Sequence, residues 1–134
     1  MIEMRELTTE KNGVHDITAQ VREIVAKSGV KNGIVTIEVP HSTAGVVATS
    51  FYDPKVKDDL MADIKRLIPS RITFQHEESP DDAAGHLKCA LFGTSVTSIL
   101  KDGAFVAEKA LGYFLCEYDG PRKRQFYVAV MGDK

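Results

Sequence analysis

Three of the four histidines stand beside groups that could share chemistry with them. His41 follows Pro40 at the end of an apolar run and precedes Ser42 and Thr43. Side chains and backbone N–H groups there either converge on a pocket or close a hydrogen-bonded turn. His86 comes four residues after Asp82, so on a helix the two share a face. The carboxylate could then hold one ring nitrogen and leave the other for a metal or substrate, or the two could form an ordinary surface pair. His76 ends Arg71-Ile72-Thr73-Phe74-Gln75 just ahead of two glutamates, where a solvated loop histidine is the plain alternative. His15 stands alone near a helix start, as a surface residue would. Three imidazoles are the number a catalytic divalent metal uses when one position stays open, which makes His41, His76 and His86 candidate ligands for zinc or magnesium. Their separations, 35 residues and then 10, match no compact metal motif. Glu117, between apolar neighbours, could be a fourth ligand, a general base or a strand glutamate reaching solvent. Arg122, Lys123 and Arg124 follow Gly120-Pro121; they suit a solvated turn or, through guanidinium donors, a phosphate.

The elements that must position these groups can be read from pattern. Glu3 to Thr9 alternates weakly and reads as a first strand, with Lys11-Asn12-Gly13 as a turn. Ile17, Val21, Ile24 and Val25 form one stripe of a helix, with Asp16 placed to cap its start and Gly29 to end it. Ile34 to Val39 and Ala44 to Phe51 are β-branched runs that bracket His41-Ser42-Thr43. Asp53-Pro54 opens a second helix, whose stripe Val56, Leu60, Ile64, Leu67 and Ile68 runs to Pro69. Ser79-Pro80-Asp81-Asp82 opens a third, with Ala83, Ala84, Leu87, Ala90 and Leu91 as its buried face and Gly93 as its end. On that helix Lys88 points to another side than His86, toward a different surface or a neighbouring subunit. Val96 to Leu100 and Ala104 to Val106 flank Asp102-Gly103, a tight-hairpin signal, and Tyr113 to Tyr118 and Gln125 to Met131 flank a longer basic loop. The sum is an α+β protein with about three helices on antiparallel sheet.

The chain has 134 residues, 43% of them hydrophobic and 27% charged, with a formal net charge of −2. That length suggests a single domain over 1–134, with no repeat or low-complexity linker. The charge gives no basis for a general polyanion-binding surface, and no groove-like run interleaves aromatic and basic residues, so nucleic acid is not an expected partner. No stretch has the length of a membrane span, the first residues lack the pattern of a secretory leader, and the expected location is cytoplasmic. Cys89 and Cys116 form no CxxC pair; they read as reduced buried thiols or as one long-range bridge. Dinucleotide, P-loop, zincin and nucleophile-elbow signatures are absent.

Taken together, Val39-Pro40-His41-Ser42-Thr43-Ala44-Gly45, Asp53-Pro54-Lys55-Val56, Asp81-Asp82-Ala83-Ala84-Gly85-His86-Leu87-Lys88 and Gly112-Tyr113-Phe114-Leu115-Cys116-Glu117-Tyr118-Asp119-Gly120-Pro121-Arg122 resemble the YjbQ-like family, also called the secondary thiamine-phosphate synthase family. The resemblance implies an α+β fold with an antiparallel β-sandwich core, a homotrimer with sites near subunit boundaries, and a weak thiamine-phosphate synthase activity. His41, His86 and Glu117 match motif positions, and His76 matches the histidine before the Asp-rich helix start. The chain departs from the family where His-Thr-Ser-Ala becomes His41-Ser42-Thr43-Ala44. It departs further where Gly-Thr-Trp-Gln-Gly becomes Glu108-Lys109-Ala110-Leu111-Gly112, and it contains no Trp.

The working expectation assigns chemistry to His41, Asp82, His86 and Glu117, phosphate binding to Ser42, Thr43, Lys88 and Arg122, and a divalent metal to His41, His76 and His86. The expected partner is a small phosphorylated metabolite. Two rivals stand beside it: a non-catalytic trimer that binds a metal or phosphate ligand, and a metal-dependent hydrolase of a phosphorylated metabolite.

Overall fold

The computed structural model describes residues 1–50, 53–70 and 80–134. Among the described residues, eight strands and three helices follow in the order β1 (Ile2–Thr8), β2 (Val14–Asp16), α1 (Thr18–Ser28), β3 (Asn32–Glu38), β4 (Ala44–Ser50), α2 (Val56–Leu67), α3 (Pro80–Phe92), β5 (Ser95–Lys101), β6 (Ala104–Phe105), β7 (Leu111–Glu117) and β8 (Lys123–Asp133). All strand pairings are antiparallel. One sheet has five strands in the order β1-β8-β3-β5-β6; the other has three, β2-β7-β4. The expected α+β class with an antiparallel sandwich core and three helices is what the chain adopts.

Local chemistry explains the element ends. The Asp16 carboxylate accepts the Thr18 N–H at 2.9 Å, and Gly29 closes α1 at φ 71°, a left-handed conformation that suits a residue without a Cβ. The Asp53 carboxylate accepts the Lys55 N–H at 2.9 Å; residues 54–55 turn first, so α2 begins later than the Asp-Pro signal suggests. Asp102 and Gly103 both take positive φ, 52° and 83°, as a two-residue hairpin turn requires.

The three-stranded sheet is buried on both faces. Toward the five-stranded sheet and α1 it packs Ala44, Val46, Tyr113 and Leu115 against Val35, Ile37, Phe126, Val128 and the α1 stripe. On its other face Cys116 meets Met61 and Ile64 of α2 and Cys89 of α3. This two-sided burial accounts for the near-continuous apolar run of β7, which does not alternate. Both cysteines are free and buried, matching the reduced-thiol alternative; burial pushes their pKa up to about 11 for Cys89 and about 12 for Cys116.

The five-stranded sheet instead leaves its outer face to solvent. Ile34 pairs in register with Ile99 on one side and Met131 on the other, and Ile99 and Met131 are 60% and 63% exposed. Among the described residues, no helix is long and apolar enough to cross a membrane.

Candidate functional site

The candidate residues gather where β3 hands over to β4, β7 to β8, and α3 crosses above. α3 comes in close because Gly85 faces Thr43: a Cβ at position 85 would lie 3.2 Å from the Thr43 side chain. This contact brings the Gly85 turn of α3 against Thr43.

Beneath this junction lies a buried ion pair that pattern reading assigned to two separate places. Glu117 is fully buried at the end of β7, and Arg124 is 3% exposed on β8. Arg124 Nε donates to Glu117 Oε1 at 2.7 Å, and its Nη2 donates to Oε2 at 2.5 Å and to Thr43 Oγ1 at 2.7 Å. The Thr9 hydroxyl donates to Oε1 at 2.5 Å, and the Asp119 N–H reaches Oε2 at 3.2 Å. Burial alone would raise the Glu117 pKa, but the Arg124 and Thr9 hydrogen bonds outweigh it and hold the carboxyl below its usual range. Gly120 makes room for this carboxylate: it sits at φ 71°, and a Cβ there would come within 2.8 Å of Glu117 Cδ.

These contacts change the chemistry expected of two residues. Glu117 has its acceptor positions filled from within the chain, so it serves as the anchor of the network rather than as a poised base or ligand. Thr43 is likewise committed, giving its hydroxyl oxygen to Arg124 and its carbonyl to the Tyr118 N–H at 2.9 Å. Arg124 is the residue of this junction that pattern reading left in the basic loop. The signal was present: Phe126, Val128 and Val130 point inward, and carrying that two-residue period back reaches Arg124.

Above the ion pair is a more accessible rim. His41 Nε2 accepts the Gln125 N–H at 3.0 Å, which leaves the proton of the neutral ring on Nδ1. Burial, followed by the charge of Arg124, lowers the His41 pKa and favours that neutral form. His86 Nε2 lies 4.0 Å from Asp82 Oδ1, the one-face pairing that i,i+4 spacing implied. Arg122 Nη2 bonds Asp119 at 2.7 Å and stands 3.9 Å from the same Asp82 oxygen. Asp82 thus joins His86 and Arg122, while the Arg122 charge also acts on His41.

The remaining candidates divide. Ser42 is exposed on the same loop as His41. Lys88 is 2% exposed and engaged rather than free, so of the two places its helix angle allowed, a different surface or a neighbouring subunit, it does not lie on an open surface. His76 lies outside the described residues. Among the described residues no three His, Cys, Asp or Glu side chains are grouped to hold a metal ion. His41 could act through Nε2 only by giving up Gln125.

The comparisons agree with this architecture. The profile of the family described as UPF0047 protein YjbQ-like matches residues 3–133. A UPF0047 protein of Methanocaldococcus jannaschii is 42% identical over 127 residues, covering 95% of this chain and 91% of the relative. The UPF0047 protein YugU of Bacillus subtilis is 31% identical over 128 residues, covering 93% and 94%. In three dimensions, the crystal structure of a YbjQ-like protein from Sulfolobus solfataricus superposes with a TM-score of 0.92 at 32% identity, covering 99% of this chain and 97% of that one. With sequence and fold matched over nearly their whole length, the chain belongs to the UPF0047 YjbQ-like family.

Proposed function

We propose that the rim formed by His41, Asp82, His86, Asp119 and Arg122 binds a small phosphorylated metabolite and runs the reaction that the family resemblance implies, thiamine-phosphate synthesis. In that reaction the C–O bond of a pyrimidine methyl diphosphate breaks, a C–N bond to a thiazole phosphate forms, and diphosphate departs. The demand on the protein is fixed positive charge and hydrogen-bond donors for the leaving anion, more than a strong base. The observation that supports this reading is Arg122, whose half-exposed guanidinium is held by Asp119 and Asp82 beside His86. Arg122, the Nδ1–H of His41 and the hydroxyl of Ser42 would donate to phosphate oxygens. Glu117, Arg124 and Thr43 would hold the backbone on which these donors stand.

The divalent metal, zinc or magnesium, is a separate proposal resting on His41, His76 and His86. The described pair does not complete a metal site, and no step above passes through a metal. Elemental analysis of wild type and His86→Ala tests it: a retained stoichiometric metal lost in the variant supports it, and a metal-free protein or an unchanged content overturns it.

The homotrimer is proposed on the outer face of the five-stranded sheet. A monomer would leave Ile34, Ile99 and Met131 side by side in water, and burial of such a patch favours association. A monomeric solution mass would overturn it.

One observation favours the non-catalytic ligand-binding reading as second choice: Glu108–Gly112 replaces the family's Gly-Thr-Trp-Gln-Gly. The separating experiment assays synthase turnover and thermal stabilisation by inorganic diphosphate in wild type, His86→Ala and Arg122→Ala. Turnover lost in both variants supports the synthase. Stabilisation without wild-type turnover supports the binding protein, and neither signal overturns both.

A further inference from the structure

A second cleft lies away from the histidine rim. It opens between the C-terminal half of α1, the turn that follows it and the β5–β6 hairpin, and is an open cleft of about 620 Å³. That volume is within the range of pockets that take a drug-sized ligand, roughly 300–1,000 Å³. Its lining includes Val25, Val30, Leu100 and Phe105, so the interior is apolar. The charged lining residues are of uneven sign: Arg22, Lys31 and Lys109 against Glu108 alone. Arg22 Nη2 donates to the Glu108 carbonyl at 3.2 Å, which ties the guanidinium to the segment on the opposite side of the opening. Glu108 takes φ 50°, so the backbone turns sharply there. No candidate residue of the histidine rim lines this cleft.

An apolar interior calls for an apolar body, and a mouth that carries the exposed Lys31 and Lys109 against one carboxylate calls for an anionic head. We infer that this cleft is a binding site for a small amphipathic anion, an aliphatic or aromatic body ending in one carboxylate or phosphate. The body would rest on Val25, Val30, Leu100 and Phe105, and the head would meet Lys31 and Lys109. The site is independent of the function proposed above, since the two share no residue.

Titration calorimetry with decanoate and naphthoate on the full chain tests this, with decyltrimethylammonium as the cationic counterpart. Saturable binding of either anion, without the cation, is expected. The exposed double variant Lys31→Glu/Lys109→Glu should weaken that binding by about tenfold or more through lost charge complementarity. Arg122→Ala should leave it unchanged, which separates this site from the histidine rim. Equal binding of the cation, binding that survives the charge reversal, or no saturable binding of either anion would overturn the inference. So would a charge-reversed variant whose only change is its solution mass, because the cleft would then be a contact between copies of the chain.

Discussion

The buried pair Glu117–Arg124 and the outer trio His86–Asp82–Arg122 use the same kinds of charge to opposite ends. In the buried pair the Glu117 carboxylate accepts four donors within 3.2 Å, two of them from Arg124. In the outer trio the spacings of 4.0 and 3.9 Å around Asp82 are too long for firm hydrogen bonds. Arg122 is paired with Asp119 but stays half-exposed, so its guanidinium can meet a phosphate at a smaller desolvation cost than groups in the interior. The ion pair is built into the interior, whereas the rim keeps its charges within reach of water.

That contrast can be broken most severely at Arg124. Arg124→Met leaves the Glu117 carboxylate buried without its counter-charge and should cost about 3–5 kcal/mol in denaturant unfolding. Adding Glu117→Gln should recover part of the loss, and a purely additive double variant would show that the pair is not coupled. Next comes Gly120→Ala, expected to cost about 1–3 kcal/mol because a Cβ at positive φ is strained and meets Glu117. An unchanged unfolding midpoint would show that the Glu117 carboxylate can move aside.

Acid should act in two stages. His41 has a folded pKa below 6.5, so the unfolded chain binds its proton first; the His41 contribution is complete above pH 6.5 and is lost as pH falls through the folded value. Glu117, lowered from 4.5, follows the same sign at lower pH: its contribution is present above 4.5 and lost as pH falls through its folded value. His41→Gln should remove the first stage of a pH–stability profile and leave the second. The smallest stability effect belongs to Arg122→Ala, within about 0.5 kcal/mol for a half-exposed charge. The same change should weaken inorganic diphosphate binding by about tenfold if the rim holds phosphate. A stability loss as large as that of Arg124→Met would place Arg122 in the architecture instead.

Much of the fold was legible because local rules and packing agreed. The α1 stripe, the Asp-Gly hairpin and the β-branched strands appear within a residue or two of where periodicity put them. β2 was missed because three residues, Val14–Asp16, are too few to show alternation. The site was half legible. Asp82 and His86 meet because helical spacing fixes them, but Arg124 was grouped with loop cations, since three basic residues in a row hide the point where a strand begins. Glu117 looked available because a sequence does not show how many donors surround a carboxylate.

The sequence alone settled the three helices, most of the strands, the Gly29 end of α1, the α+β class and the one-face pairing of Asp82 with His86, all of which depend on neighbours a few residues apart. The tertiary structure decided which charges are spent. Glu117 collects donors from residues as far along the chain as Thr9, 108 positions away, and the burial of β7 between two layers makes those bonds obligatory. Whether a carboxylate or a guanidinium is a tool or a strut depends on solvent access and on partners brought in by folding, and no local pattern carries that information.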